Sequence, residues 1–224
     1  MVKHRTKNGG KMSNRTSKSY PTYLRHNLLL NILNEDQRSD KNLVLELCNR
    51  NGMNLEFASL DLQDDDDIVY LATKQYGESF YFASERLKCN KEFILRLIRI
   101  RGSILKFISE ELRDDYELVK LAVTCFGGSL EYASYRLKNN LDIVKCTALQ
   151  YVNSVKYAGE ELVNSEGDML ELIAINSTCF KYVSENLKNN KDFCKKAYDI
   201  NKKVRPLISI EIKKQIFSKN NEEK

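Results

Sequence analysis

Residues 115–139 read DYELVKLAVTCFGGSLEYASYRLKN, and this stretch decides the fold. It opens on Asp115, whose short side-chain oxygen can accept from the free amides of a first helical turn. Leu118, Val119, Ala122 and Val123 follow at i, i+1, i+4 and i+5, one face of a 3.6-residue period. Gly127 then offers a stop. Beyond it Leu130, Ala133 and Leu137 recur at i, i+3 and i+7, with Tyr132 beside them. Nothing alternates with period two, so strands are disfavoured. The stretch predicts two short helices around a turn, each too short to stand alone in water. A lone hairpin of this kind cannot bury its apolar face, so it needs neighbours.

The neighbours are written in the same chain. Stepping by 25 from Asp40 gives Asp65, Asn90, Asp115, Asn140, Ser165 and Asn190, all residues that cap helix N-termini. Two positions later stand Asn42, Asp67, Glu92, Glu117, Asp142, Gly167 and Asp192, mostly acidic where the helix dipole favours acid. The thirteenth position is Gly52, Gly77, Gly102 and Gly127, then Val152, Ser177 and Lys202. Glycine there is expected in the left-handed conformation that ends a helix. The twenty-third position is Leu62, Leu87, Leu112, Leu137, Leu162 and Leu187, then Ile212. The chain is therefore expected to be all-α, an α-solenoid of about seven 25-residue helix-turn-helix repeats, right-handed or gently curved.

Boundaries follow from that register. Residues 1–22 form a basic tail expected to be disordered, 23–39 an N-terminal half repeat, 40–214 the seven tandem units, and 215–224 the polar end of the C-terminal cap. Three departures carry expectations of their own. Asp168 falls in an apolar slot and is read as the cap of a delayed helix, with Met169, Leu172 and Ile173 facing inward. Arg205 occupies a core slot of the last unit. Pro206 suits the first turn of a terminal helix running through Ile212 and Ile216.

Charge is unevenly spread. The whole chain carries +5, but Lys3, Arg5, Lys7, Lys11, Arg15 and Lys18 put +6 into the first 20 residues and leave −1 for the rest. A near-neutral body argues against a broad nucleic-acid-binding face. The six cysteines (Cys48, Cys89, Cys125, Cys146, Cys179, Cys194) show no CxxC pair and no histidine partner, so reduced, mostly packed thiols in an intracellular protein are expected. No apolar run is long enough for a membrane span.

Segments such as SLEYASYRLKNN (129–140), SFYFASERLKCN (79–90) and ILKFISEELRDD (104–115) resemble the repeat family catalogued as domain of unknown function 4116. The resemblance covers residues 40–200. Members of that family occur in large DNA viruses of amoebae, in protists and in some bacteria. It implies tandem short helical hairpins and brings no agreed activity.

Chemistry is sparse. The serines after the aromatic-Ala pair (Ser59, Ser84, Ser109, Ser134, Ser184, Ser209) read as packing or capping residues, because the only histidines, His4 and His26, lie outside the repeats. Asp64 to Asp67 lack the spacing of a calcium loop. No catalytic residue, metal site or cofactor is expected, and no enzyme. The binding candidates are a basic patch of Lys74, Arg96, Arg99 and Arg101 and the variable, partly aromatic twelfth position, Tyr76, Phe126 and Tyr151. They suit a scaffold for an unidentified protein or peptide partner, acidic where it meets the cations. The second reading is contact with nucleic-acid phosphates through Lys3, Arg5, Lys7, Lys11, Arg15 and Lys18, and the third a structural component assembled end to end. No membrane partner is expected.

Overall fold

The computed structural model describes residues 32–217, and those residues form an all-α solenoid. Each unit, numbered from Asp40, contains three helical pieces where the sequence predicts two. Unit 4 has a long α-helix (Tyr116–Cys125), a six-residue 3₁₀ helix (Gly127–Tyr132) and a short α-helix (Tyr135–Lys138). The second arm splits because Ala133 turns to extended backbone (φ −64°, ψ 157°) and Ser134 caps a new helix. The same order recurs from Lys41–Arg50 in unit 1 to Lys191–Ile200 in unit 7, and the final short helix lengthens to Ile210–Phe217.

Every long helix receives its cap. Asp40, Asp65, Asn90, Asp115, Asn140, Ser165 and Asn190 each accept from a first-turn amide. The expected delayed start at Asp168 does not occur. Ser165 caps the helix, its hydroxyl accepting from the Asp168 amide, and Asp168 sits in the first turn where the dipole suits it. Met169, Leu172 and Ile173 are buried.

Five of the six serines at the aromatic-Ala-Ser register cap the short helices: Ser84, Ser109, Ser134, Ser184 and Ser209 accept from the amides of Leu87, Leu112, Leu137, Leu187 and Ile212, whereas the Ser59 hydroxyl makes no cap bond. Unit 5 has Gly159 instead, and Asn139 of the preceding unit takes over, its side-chain oxygen accepting from the Leu162 amide at 3.1 Å. A methyl on Gly159 would collide with that asparagine.

Backbone also stitches the units. The amides of Ser59, Ser84, Ser109, Ser134, Gly159 and Ser184 donate to the carbonyls of Arg38, Gln63, Lys88, Arg113, Lys138 and Val163. These bonds tie each short-helix start to the end of the previous short helix. Between the layers lies one continuous core of long-helix residues, such as Leu118, Val119, Ala122 and Val123, with 3₁₀ residues such as Leu130 and the leucines of the twenty-third position. Phe80 meets Phe93 and Phe180 meets Phe193 across unit boundaries, with centroids 6.4 and 6.2 Å apart. Each unit's apolar face is thus completed by the next, as the short lengths require.

The glycine expectation is corrected. Among the described residues no glycine has positive φ. The residue before it, such as Phe126 (φ −151°, ψ 101°), makes the turn in extended backbone. Glycine is needed because the neighbouring unit comes too close: a Cβ on Gly52 would strike the Ala72 carbonyl, one on Gly102 would lie 2.9 Å from the Phe126 Cβ, and one on Gly127 would enter the Tyr151 side chain. The last unit differs as well. Pro206 lies inside the 3₁₀ helix Lys202–Leu207 rather than starting the terminal helix. Arg205 stands at the register of the buried Leu130 and Phe180 but is exposed, its guanidinium stacked 4.9 Å from the Phe217 ring centroid, while Val204 beside it is buried.

Candidate functional site

All long helices run the same way through the stack, so their C-terminal ends form one edge. That edge carries the binding candidates. The long helix of unit 3 stops at Ile98, which places Arg99 at its C-cap. Lys74 occupies the same register one unit earlier, and both side chains are exposed with no hydrogen-bond or ion-pair partner among the described residues. Cations suit this edge, where helix dipoles present their negative ends.

The other predicted residues are more committed. Arg101 donates to the carbonyls of Lys74 at 3.1 Å and Gln75 at 3.4 Å, closing the end of the preceding long helix. Arg96 lies over the Tyr70 ring of unit 2 at 5.1 Å and that of Phe93 at 5.9 Å. Tyr151 donates its hydroxyl to the Cys125 carbonyl at 3.2 Å and packs on Gly127. Tyr76 and Phe126 remain 48% and 47% exposed. Gly128 leaves space for the Phe126 ring, which a methyl there would meet at 2.8 Å.

Between units 3 and 4 lies a shallow groove of about 260 Å³, lined by Arg99, Ile100, Arg101, Gly102, Ser103, Cys125 and Phe126. A second depression of about 490 Å³ lies beside it, lined by Tyr70, Leu95, Arg96, Arg99 and Ile100. Arg99 belongs to both. Ile100, Cys125 and Tyr70 were not among the candidates. Tyr70 precedes the register of Arg96 by one position, and only the stacking of units 2 and 3 brings the two together.

The cysteines divide. Cys48, Cys179 and Cys194 are buried, and burial pushes their thiols up to about 12, 12 and 11. Cys89 and Cys125 are exposed, which the expectation of mostly packed thiols did not foresee. Among the described residues no group of three or more His, Cys, Asp or Glu could hold a metal ion. The Asp64–Asp67 run serves structure. Ser84 donates to Asp64, Arg86 bridges Asp64 and Asp66 at 2.9 Å each, and Lys41 meets Asp65 at 2.6 Å. The hydrogen bond from Ser84 and the Arg86 guanidinium hold the Asp64 carboxyl below its ordinary range. Asp114 repeats this arrangement with Ser134 and Arg136. The tail candidates Lys3, Arg5, Lys7, Lys11, Arg15 and Lys18 lie outside the described residues. No helix among the described residues is long and apolar enough to cross a membrane.

Comparison with known proteins fits this geometry. The family model described as a domain of unknown function (DUF4116) matches residues 40–88, 67–113, 90–125, 115–163 and 168–213, and the chain belongs to that family. No curated protein and no solved structure matches it.

Proposed function

We propose that this chain, as a member of that tandem-repeat family, is a non-enzymatic scaffold that binds an acidic protein segment along the C-terminal edge of its long helices. The observation that carries the reading is the uncommitted pair Lys74 and Arg99, side by side in register and flanked by exposed Tyr76, Ile100 and Phe126. Arg101 and Tyr151 hold the units together at the same edge, so the frame is fixed while the cations remain available. Exposed aromatics beside arginine are the residues from which binding hot spots are built. A carboxylate set next to an apolar side chain would pair with Arg99 while its neighbour covers Phe126.

Selection from a displayed random-peptide library tests this. The full chain is expected to enrich sequences with Asp or Glu adjacent to aromatic or aliphatic residues. Lys74→Glu with Arg99→Glu should weaken the enriched peptides by at least about tenfold, the cost of losing charge-assisted contacts. No enrichment, or peptides indifferent to the double reversal, would remove this edge as the binding surface.

A further inference from the structure

The 3₁₀ helices form a second surface, and its charge changes abruptly along the stack. In units 1–4 the charged residues of these helices are Glu56, Glu78, Lys106 and Glu131, and the single cation pairs with Glu78 at 3.4 Å. In units 5–7 the three helices read VNSVKY, STCFKY and KKVRPL, with no acid. The whole-body charge of the sequence hides this concentration, because acids elsewhere cancel it.

Position along each helix puts these cations on one face. Residues three apart eclipse in a 3₁₀ helix, so Asn153 shares a face with Lys156, Thr178 with Lys181, and Lys203 with Pro206. Lys156, Lys181 and Lys203 are exposed and have no carboxylate within ion-pair distance among the described residues. Lys202, by contrast, is paired with Asp199 at 2.9 Å. Half-buried tyrosines alternate with the lysines. Lys156 lies 4.7 Å from the Tyr157 ring centroid, and Tyr182 reaches back to Asn153 at 3.2 Å, tying unit 6 to unit 5.

We infer that this face of units 5–7 binds a single-stranded nucleic acid, the lysines contacting phosphates and Tyr157 and Tyr182 offering rings on which bases stack. Packed helices lie about 8–10 Å apart, so the column offers one cation for roughly every third phosphate of a stacked strand at about 3.4 Å per nucleotide. Rings set beside a row of cations are what a strand of planar bases uses, stacking on the one while its phosphates meet the other. The inference is independent of the peptide-binding edge, since it uses none of the same residues.

Fluorescence anisotropy with the full chain and a labelled 20-nucleotide oligothymidylate tests it. The triple variant Lys156→Gln, Lys181→Gln, Lys203→Gln is expected to bind more weakly, with the slope of log affinity against log salt shallower by about 2, three contacts at about 0.7 each. Lys106→Gln, at the same register in unit 3, should leave the slope unchanged. Tyr157→Leu with Tyr182→Leu should lower affinity at least about thirtyfold, and polyglutamate should fail to displace the oligonucleotide. Circular dichroism establishes that each variant is folded. No binding by the parent, an unchanged slope in a folded triple variant, or indifference to the tyrosines with displacement by polyglutamate would each overturn the assignment.

Discussion

Units 2–4 and units 5–7 share a core and differ in almost everything outside it. The first group keeps glycine at the close approach between neighbours, whereas the second has Val152, Ser177 and Lys202 there. The Asp–Ser–Arg clamps at Asp64, Ser84, Arg86 and at Asp114, Ser134, Arg136 have no counterpart after Asn139 among the described residues. Lys41–Asp65 and Lys91–Asp115, at 2.6 and 2.5 Å, also recur only two units apart within the first half. Yet Val155, Leu162, Phe180 and Val183 are as buried as their equivalents. The difference teaches that apolar packing and backbone stitching set the repeat. The polar decoration is free to diverge, and it does so into a cationic edge beside exposed aromatics in units 2–4 and a basic 3₁₀ face in units 5–7.

If packing sets the repeat, core deletions outweigh every polar one. Leu137→Ala, at a fully buried site between units 4 and 5, is expected to cost about 2–5 kcal/mol in urea unfolding. The equivalent Leu187→Ala, at a half-buried site near the C-terminal end, should cost less. Equal losses, or none at either, would break the comparison.

Gly127→Ala comes next. With φ negative, alanine suits the backbone, so only the collision with Tyr151 can penalise it. Overpacking of this kind costs about 1–3 kcal/mol, and adding Tyr151→Ala should recover part of the loss. Ser177→Ala in the second half should be nearly neutral. A penalty that Tyr151→Ala does not relieve would point back to backbone conformation.

The clamps should matter less than either of these changes, because their charges are largely exposed and screened by solvent. Asp64 and Asp114 are held below the ordinary Asp value of 3.8 by the serine hydroxyl first and the guanidinium second. Their contribution is therefore complete above that value and lost as pH falls through the lowered one. Unfolding midpoints of Asp64→Asn with Asp114→Asn should differ from the parent at pH 7 and converge with it below the ordinary Asp range. A gap that persists in acid would assign the clamps a role other than charge.

The cysteines give the smallest effect on stability and a clean map of exposure. In the native chain Cys89 and Cys125 should react with a thiol reagent first, and Cys48, Cys179 and Cys194 only on unfolding. Fast modification of Cys48 would mean that the first half is more open than its packing implies.

Much of this was legible in the sequence, for reasons that vary by residue. The caps and the leucine column declare themselves because a solenoid needs them at fixed spacing. The glycines also stood out, but their reason did not: a left-handed turn and a close neighbour leave the same letter. Asp168 and Arg205 depart from their slots, and one unit's hydropathy cannot show that Ser165 still caps the helix or that Arg205 turns out onto the Phe217 ring. In the candidate edge, cation register was visible, whereas Arg101 turning inward to carbonyls and Arg96 lying on Tyr70 depend on contacts between units. The basic face of units 5–7 is invisible in the net charge of the body, because acids on the other layers cancel cations that only the fold gathers along one helical layer.

The claim that one stack carries two separate surfaces is tested most directly by a joint titration. An acidic peptide selected on the edge and a labelled oligothymidylate are added together to the full chain, and the affinity of each is measured with the other saturating. The account predicts that both bind at once with unchanged affinities. Mutual displacement, or failure of both to bind, would contradict it.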